Sequence, residues 1–450
     1  MKIEDVEISR LNPAPYNPRS ISDEMLEKLS LGLDEFGFVQ PVVANRRNGN
    51  VVGGHQRIKA AEKRGDSTVP VYWVDLDDGK EKALNLALNK ISGEWDDELL
   101  KRLLSEMDDV DLLLSGFDET ELAEMMAEFE ADNATYYTDE DDVPPVEPEC
   151  VSRPGDIWIL GNHRIMCGDS TNLEQMEQLL DGTPVDMVFV DPPYNVDYEG
   201  SAGKIKNDSM ADADFRQLLL DMFTTAHTFM KEGAPIYVAH ADGGEIGLSF
   251  RNSFLSAGFK LAACLIWRKN QFTLSRSDYQ WIHEPILYGW KQGAAHSWYG
   301  GRAQTSIVDL GGGRFCQTGE NEWSIQSGDE ILRVTGDNLM VEISASTITS
   351  VDKPKRSELH PTMKPVELVE RFIENSSRPA QKVLDFCGGS GSTLISCEKS
   401  GRHARLMELD EKFADVIVRR WQQFTRCQAR HIDGRLFDDV PSCMREAETT

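Results

Sequence analysis

The chain has 450 residues, 40% of them hydrophobic and 27% charged, and a formal net charge of −29 at pH 7. That length points to two or three domains, and the composition to a globular chain rather than a fibrous or disordered one. No apolar run approaches the ~20 residues of a membrane helix, and the start Met1-Lys2-Ile3-Glu4-Asp5 lacks a signal-peptide layout. A cytoplasmic protein that touches no membrane is expected. The eight cysteines form no C-x-x-C pair, which argues against a zinc site or a disulfide framework. No metal is expected.

Residues 1 to about 95 read as a small α+β unit. Ser22 is a candidate N-cap for a helix running to Phe36. Pro41–Ala44 reads as a strand, and Val51-Val52 enters a turn at Gly53-Gly54. A helix from His55 to Lys63, a strand at Val69–Val74 and a helix over 80–93 follow. Gly53 and Gly54 at a helix start expose backbone N–H groups to an anion, and His55 and Arg57 add donors.

The acidic excess is concentrated in the next segment. Between Glu94 and Glu149 stand 21 acidic and two basic residues, which account for 19 of the 29 excess charges. Outside this stretch a basic face remains available to phosphates. Over 96–131 acids alternate with Leu, Met and Phe at helical spacing, predicting two short helices broken near Gly116. Residues 132–149 carry Asp139-Glu140-Asp141-Asp142 and three prolines, the composition of a solvated spacer.

From Val151 onward strands alternate with helices, as in a doubly wound sheet. The expected strands are 164–167, 185–190, 234–241, 261–267, 284–290, 382–386 and 403–409. Several are short apolar runs, as strands covered on both faces require. Residues 295–350 break this rhythm and read as an inserted β-rich unit. Residues 436–450 read as a tail.

Three motifs carry chemistry. Asp191-Pro192-Pro193-Tyr194 follows the strand 185–190, at the carboxyl edge where open α/β sheets bind ligands. The two prolines fix the backbone. A carboxylate, the Pro192 carbonyl and an aromatic ring together suit a flat base with an exocyclic amine. Asp385-Phe386-Cys387-Gly388-Gly389-Ser390-Gly391 links a strand to a helix and lets a ligand approach the backbone closely. Glu408, about 20 residues further on, is placed to bond ribose hydroxyls. His360-Pro361-Thr362-Met363-Lys364-Pro365 opens a helix; alone it reads as a capped core helix.

Taken in this order, the motifs over about 151–430 resemble the DNA amino-methyltransferases of the permuted beta type. The resemblance implies a Rossmann-like methyltransferase sheet and S-adenosyl-L-methionine as methyl donor. It further implies double-stranded DNA as substrate. Asp191, Pro192, Pro193 and Tyr194 would be catalytic. Asp169, Thr362, Lys364, Asp385, Phe386, Gly389, Gly391 and Glu408 would hold the cofactor. Asp rather than Ser at 191 resembles the adenine-N6 members more than the cytosine-N4 ones. An RNA methyltransferase, or a DNA-binding regulatory protein with a vestigial transferase, are the other readings.

In the first unit, Tyr16-Asn17-Pro18-Arg19, Gly37-Phe38-Val39-Gln40-Pro41 and Val51 to Arg57 resemble the ParB/sulfiredoxin fold. That implies CTP or ATP phosphates held near Arg19, Gly53, Gly54, His55 and Arg57. Partition members show Gly-Glu-Arg-Arg where this chain has Gly54-His55-Gln56-Arg57. The pairing of units resembles phage- or prophage-borne modification enzymes, and a homodimer fits them. Arg268, Lys269 and Arg276, interleaved with Phe272, Tyr279 and Trp281, and also Lys355 and Arg356, are expected to contact DNA phosphates. Residues about 268–350 would read the target.

Overall fold

The computed structural model describes residues 2–17, 23–89, 100, 103, 118–197, 199–200, 203–204, 206–273, 278–279, 281–302, 304, 306–311, 315–319, 322–327, 330–335, 348–350 and 363–442. They form two compact units, Met1–Glu130 and Ala131–Thr450. Among them no helix is long and apolar enough to cross a membrane.

The first unit is built on β1 (Ile3–Glu7), β2 (Asn12–Pro13), β3 (Val42–Asn45), β4 (Asn50–Gly53) and β5 (Thr68–Val74), ordered β1-β5-β3-β4-β2. Val6, Val42, Ala44, Val51, Val69 and Val71 pack its core, most of them β-branched as a half-buried pleated surface favours. The helices Asp23–Phe36, His55–Arg64 and Asp78–Asn89 complete it. Ser22, the candidate N-cap, lies outside the described residues. Gly54 caps the helix His55–Arg64 at φ +95°, a left-handed position that favours glycine. The acidic stretch contributes an apolar face of its own: Leu100, Leu103, Leu122, Met125 and Met126 cluster with Leu86. Gly116, the expected break, lies outside the described residues.

The second unit contains one long sheet. Its strands are β6 (Ile157–Leu160), β7 (His163–Cys167), β8 (Met187–Val190), β11 (Pro235–Ala239), β12 (Phe259–Thr273), β13 (Trp281–Lys291), β14 (Ile307–Gly311), β18 (Ile348–Ser350), β19 (Lys382–Asp385), β20 (His403–Glu408) and β21 (Arg430–His431). The order is β18-β14-β12-β13-β11-β8-β19-β20-β7-β6-β21. Two short strands, β9 (Glu199–Gly200) and β10 (Gly203–Lys204), pair separately, and β15 (Phe315–Gly319), β16 (Glu322–Ser327) and β17 (Glu330–Thr335) form a further antiparallel sheet within the inserted region.

Helices cover both faces. One face packs Leu368, Phe372, Ile417 and Trp421 against the strands. The opposite face packs Met176, Leu219, Phe223 and Phe254. Strand β6, absent from the sequence expectation, is a four-residue apolar run that pairs antiparallel with β7 through a tight turn. Strand β12 runs well past Trp267, because its polar end pairs with β13 in an antiparallel hairpin and needs no burial on both faces.

Two segments differ from expectation. Within residues 136–142, Tyr136 and Asp141 are packed rather than solvated. The Tyr136 ring stacks on Phe424 at 4.2 Å, and Asp141 accepts a hydrogen bond of 3.0 Å from Val366 N. The start of the expected tail is also core, with Phe437 buried edge-on against Trp158. In both places aromatic rings outweigh the surrounding polar composition.

Candidate active site

Strands β8, β19 and β20 are adjacent and parallel, so their carboxyl ends meet at one edge of the sheet. Strand β8 leads into Asp191, β19 into Phe386, and β20 ends on Glu408. Nearly 200 residues of sequence separate the first from the second, and the strand order removes that distance. One cleft is lined by Asp169, Asp191, Pro192, Pro193, Tyr194, Lys364, Asp385, Phe386, Gly389 and Glu408. Gly391 stands at the N-terminus of the helix Ser392–Lys399, beneath that cleft. Thr362 lies outside the described residues.

The glycine loop is tied from both sides. Gly389 N donates to Glu408 Oε2 at 2.8 Å. Thr393 Oγ1 donates to Asp385 Oδ2 at 2.6 Å and Cys387 N to Asp385 Oδ1 at 3.1 Å. Gly391 has φ +85°, and a Cβ there would come within 3.2 Å of Ile417. Burial pushes the Asp385 carboxyl up to about 8, against its hydrogen bonds from Thr393 and Cys387. Burial likewise lifts Glu408 to about 7, against the backbone donors Asp410 and Gly389. Gly168 N bonds the Glu408 carbonyl at 2.9 Å. This holds the turn whose Asp169 side chain accepts from Thr171 N and Oγ1.

The segment after Tyr194 folds back over the cleft. Buried Asp208 accepts from Tyr194 N at 3.0 Å and from Val196 N at 3.4 Å. Lys206 Nζ bonds the Leu409 carbonyl and Glu411 at 3.3 and 3.2 Å. These bonds fix the phenol next to the carboxylate of its own turn, with Tyr194 OH donating to Asp191 Oδ1 at 2.6 Å.

The side chain of Lys364 adds a feature that its motif did not announce. Its ammonium, 5% exposed, donates to Asp191 Oδ2 at 2.6 Å and faces Tyr194 OH at 3.2 Å. Glu284 Oε2 lies 3.1 Å from the same nitrogen, so the ammonium sits between two carboxylates. Lys269 pairs with the other oxygen of Glu284. Burial disfavours the Lys364 ammonium, yet Asp191 and Glu284 hold its pKa above the ordinary lysine value. Burial also disfavours ionised Glu284, and the two lysines bring it down to about 2. Two carboxylates therefore balance two ammoniums. Sequence reasoning missed Glu284; its signal is a lone acid before the apolar run Pro285–Leu287.

The expected phosphate contacts divide. Arg268 is exposed, whereas the Lys269 ammonium is paired with Glu284. Tyr279 is largely exposed. Arg276, Lys355 and Arg356 lie outside the described residues. In the first unit Arg19 is also outside them. There Gly54, His55 and Arg57 line a cleft with Leu33, Phe36 and Leu88, and Gly53 closes the strand just before it. Arg57 is engaged by the carbonyls of Gln40 and Pro41, at 2.6 and 3.1 Å. Burial, then Lys59, lowers His55 to about 4, and its Nε2 is buried without a hydrogen-bond partner.

Three family models match the chain. A family model described as DNA methylase matches residues 185–419. A ParB N-terminal domain model matches 1–90, and a ParB-methyltransferase HTH domain model matches 98–154, across the expected acidic helices and the expected spacer. The chromosome-partitioning protein ParB of Campylobacter jejuni is 30% identical over 87 residues, 19% of this chain and 31% of that protein. The chain thus spans about a third of the length of that curated relative. Among solved structures, M1.HpyAVI in complex with SAM is 17% identical, covering 57% of this chain and 97% of that one, at TM-score 0.37. The cytosine-N4-specific PvuII DNA methyltransferase is 14% identical, covering 62% and 90%, at TM-score 0.37. The family match spans more than half of the residues and includes the Asp191 turn, Lys364, the glycine loop and Glu408, so the chain belongs to the DNA methylase family.

Proposed function

We propose that this chain transfers a methyl group from S-adenosyl-L-methionine to N6 of adenine in double-stranded DNA. The observation that carries the reading is the shared cleft, in which the Asp191–Tyr194 turn faces the Gly389 loop. The residues suit the donor. Gly389 lines the cleft at φ +52°, so its backbone stands open to a ligand, and Glu408, Asp385 and Asp169 offer carboxylates to hydroxyl and ammonium groups. When bound, S-adenosylmethionine supplies an electrophilic methyl group on a sulfonium.

The chain's own residues do the rest. Asp191 and the Pro192 carbonyl accept the amine's N–H groups and favour the positive charge that develops on nitrogen. Tyr194 offers an aromatic face to the extruded base. The folded-back segment through Asp208 and Lys206 keeps water from the amine. Asp191 rather than serine supports adenine N6; cytosine N4 is the alternative. Asp191→Ala should leave the fold and cofactor binding intact and reduce transfer by at least ~1,000-fold. Radiolabel transfer to duplex DNA, followed by nucleoside mass analysis, reads both the loss and the base. An active variant, or label on cytosine, would overturn the corresponding part.

For the first unit we propose nucleotide-phosphate binding at Gly54, supported by the left-handed helix start and the orphan His55 Nε2 beside it. Arg57 must first leave the Gln40 and Pro41 carbonyls. Calorimetric titration of the full chain with CTP and ATP tests this, and flat traces for both would end it.

A further inference from the structure

The buried ion cluster poses a problem that its geometry answers. Each oxygen of Asp191 already accepts one hydrogen bond, one from Tyr194 OH and one from the Lys364 ammonium. A neutral amine is a weaker donor than an ammonium. It competes with Lys364 for Asp191 Oδ2, and Lys364 can yield only toward another anion, because a buried ammonium without a counter-ion is costly. The nearest anion is Glu284, whose buried Oε2 already lies 3.1 Å from Lys364 Nζ.

We infer that Lys364 is an exchangeable plug on Asp191, and that Glu284 is the positioning residue that takes its ammonium when the target amine enters. No bond forms or breaks and no proton moves in this step: one N–H donor passes from Asp191 to Glu284. Lys269 keeps Glu284 ionised and anchored through the other oxygen, so only Oε2 is offered. The cluster stays charge-balanced before and after the exchange, with two ammoniums facing two carboxylates. The inference rests on the proposed base-amine chemistry and adds to it a reason for a charged acid on β13.

The test uses the full chain, duplex DNA from a methylation-free host and labelled S-adenosylmethionine, with S-adenosylhomocysteine binding as the control for folding. Wild-type protein that binds S-adenosylhomocysteine yet labels no DNA would end the proposed function itself. If wild type labels DNA, Glu284→Gln should lower kcat by about 10- to 100-fold, with S-adenosylhomocysteine affinity unchanged. Glu284→Asp, which keeps the charge, should retain more. Adding Lys364→Met to Glu284→Gln should recover about 10-fold or more, because the plug is then gone. A merely structural pair gives a double variant no better than Glu284→Gln, and that result, or full activity of Glu284→Gln, overturns the inference. Should Glu284→Gln lose S-adenosylhomocysteine binding, Glu284→Asp is compared with and without Lys364→Met, and no gain from Lys364→Met overturns it equally.

Discussion

Each unit turns a glutamate inward, Glu81 and Glu284, and the two are satisfied in opposite ways. Glu81 of the first unit is fully buried. Tyr16 OH and Asn50 donate to its Oε1, and Asn45 and Asn48 to its Oε2. All four acceptor positions are filled by neutral groups, with no cation among them. Glu284 of the second unit is paired with two lysines, one at each oxygen. Neutral donors that saturate a carboxylate lock the surrounding loops in place. Ammonium groups that merely balance charge leave acceptors free and partners exchangeable. The first arrangement suits a scaffold and the second a site through which donors pass.

The largest test of this contrast is at Asp191. Replacing it with Ala should abolish transfer while the thermal midpoint moves by only a few degrees, as measured by calorimetry on the same preparation. Collapse of the fold instead would make the cluster structural and erase the contrast. Glu81→Ala should do the reverse. It strands four donors and should cost the first unit roughly 3 kcal/mol or more, read as faster amide exchange at 42–53, with transfer by the folded protein little changed.

Acid sharpens the comparison further. Burial raises the Glu81 carboxyl, but its four donors outweigh this and hold it below the usual range. Its contribution to stability is therefore present above the ordinary carboxylate pKa and lost as pH falls through the depressed folded value. Asp385 and Glu408 have the opposite sign, raised by burial to about 8 and about 7. Between the ordinary carboxylate range and those values the folded, ligand-free protein holds more protons than the unfolded chain, so their effect lowers stability as pH rises through that window. A ligand that pairs with their ionised forms is taken up with proton release. Affinity for S-adenosylhomocysteine should thus rise from pH 6 to 8, with heats that depend on the buffer's ionisation enthalpy; a flat profile would count against these two acids as ligands.

The smallest effect separates neighbours on β12. Arg268→Glu should weaken binding to all DNA sequences and reduce the salt slope by about one to two. The Lys269 ammonium is committed to Glu284. Lys269→Met should therefore leave the salt slope unchanged while reducing kcat, and equal slopes for both variants would place Lys269 on a phosphate after all.

Much of this was legible in the chain. Apolar runs bounded by turns gave the strands β7, β8, β11, β19 and β20 to within a few residues, because burial on both faces leaves little freedom in composition. The glycine loop and the proline-braced turn were legible because they are local: a left-handed φ at Gly391 and a rigid Pro192-Pro193 write themselves into neighbouring residues. The strap at 136–142 was not legible. Its charges suggested solvent, and its partners, among them Phe424, Val366, Arg420 and Lys399, are distant in sequence.

The sequence by itself determined which residues stand at strand ends and which turns they enter, since periodicity and turn chemistry act over a few positions. The tertiary structure alone decided who meets whom. Placing β8 beside β19 brings Asp191 to the glycine loop, and β13 and the segment before the helix Val366–Ser376 bring Glu284 and Lys364 to Asp191. Ion pairs between side chains 80 and 173 residues apart leave no periodic trace, because their energy depends on distance and burial in the folded molecule, not on spacing along the chain.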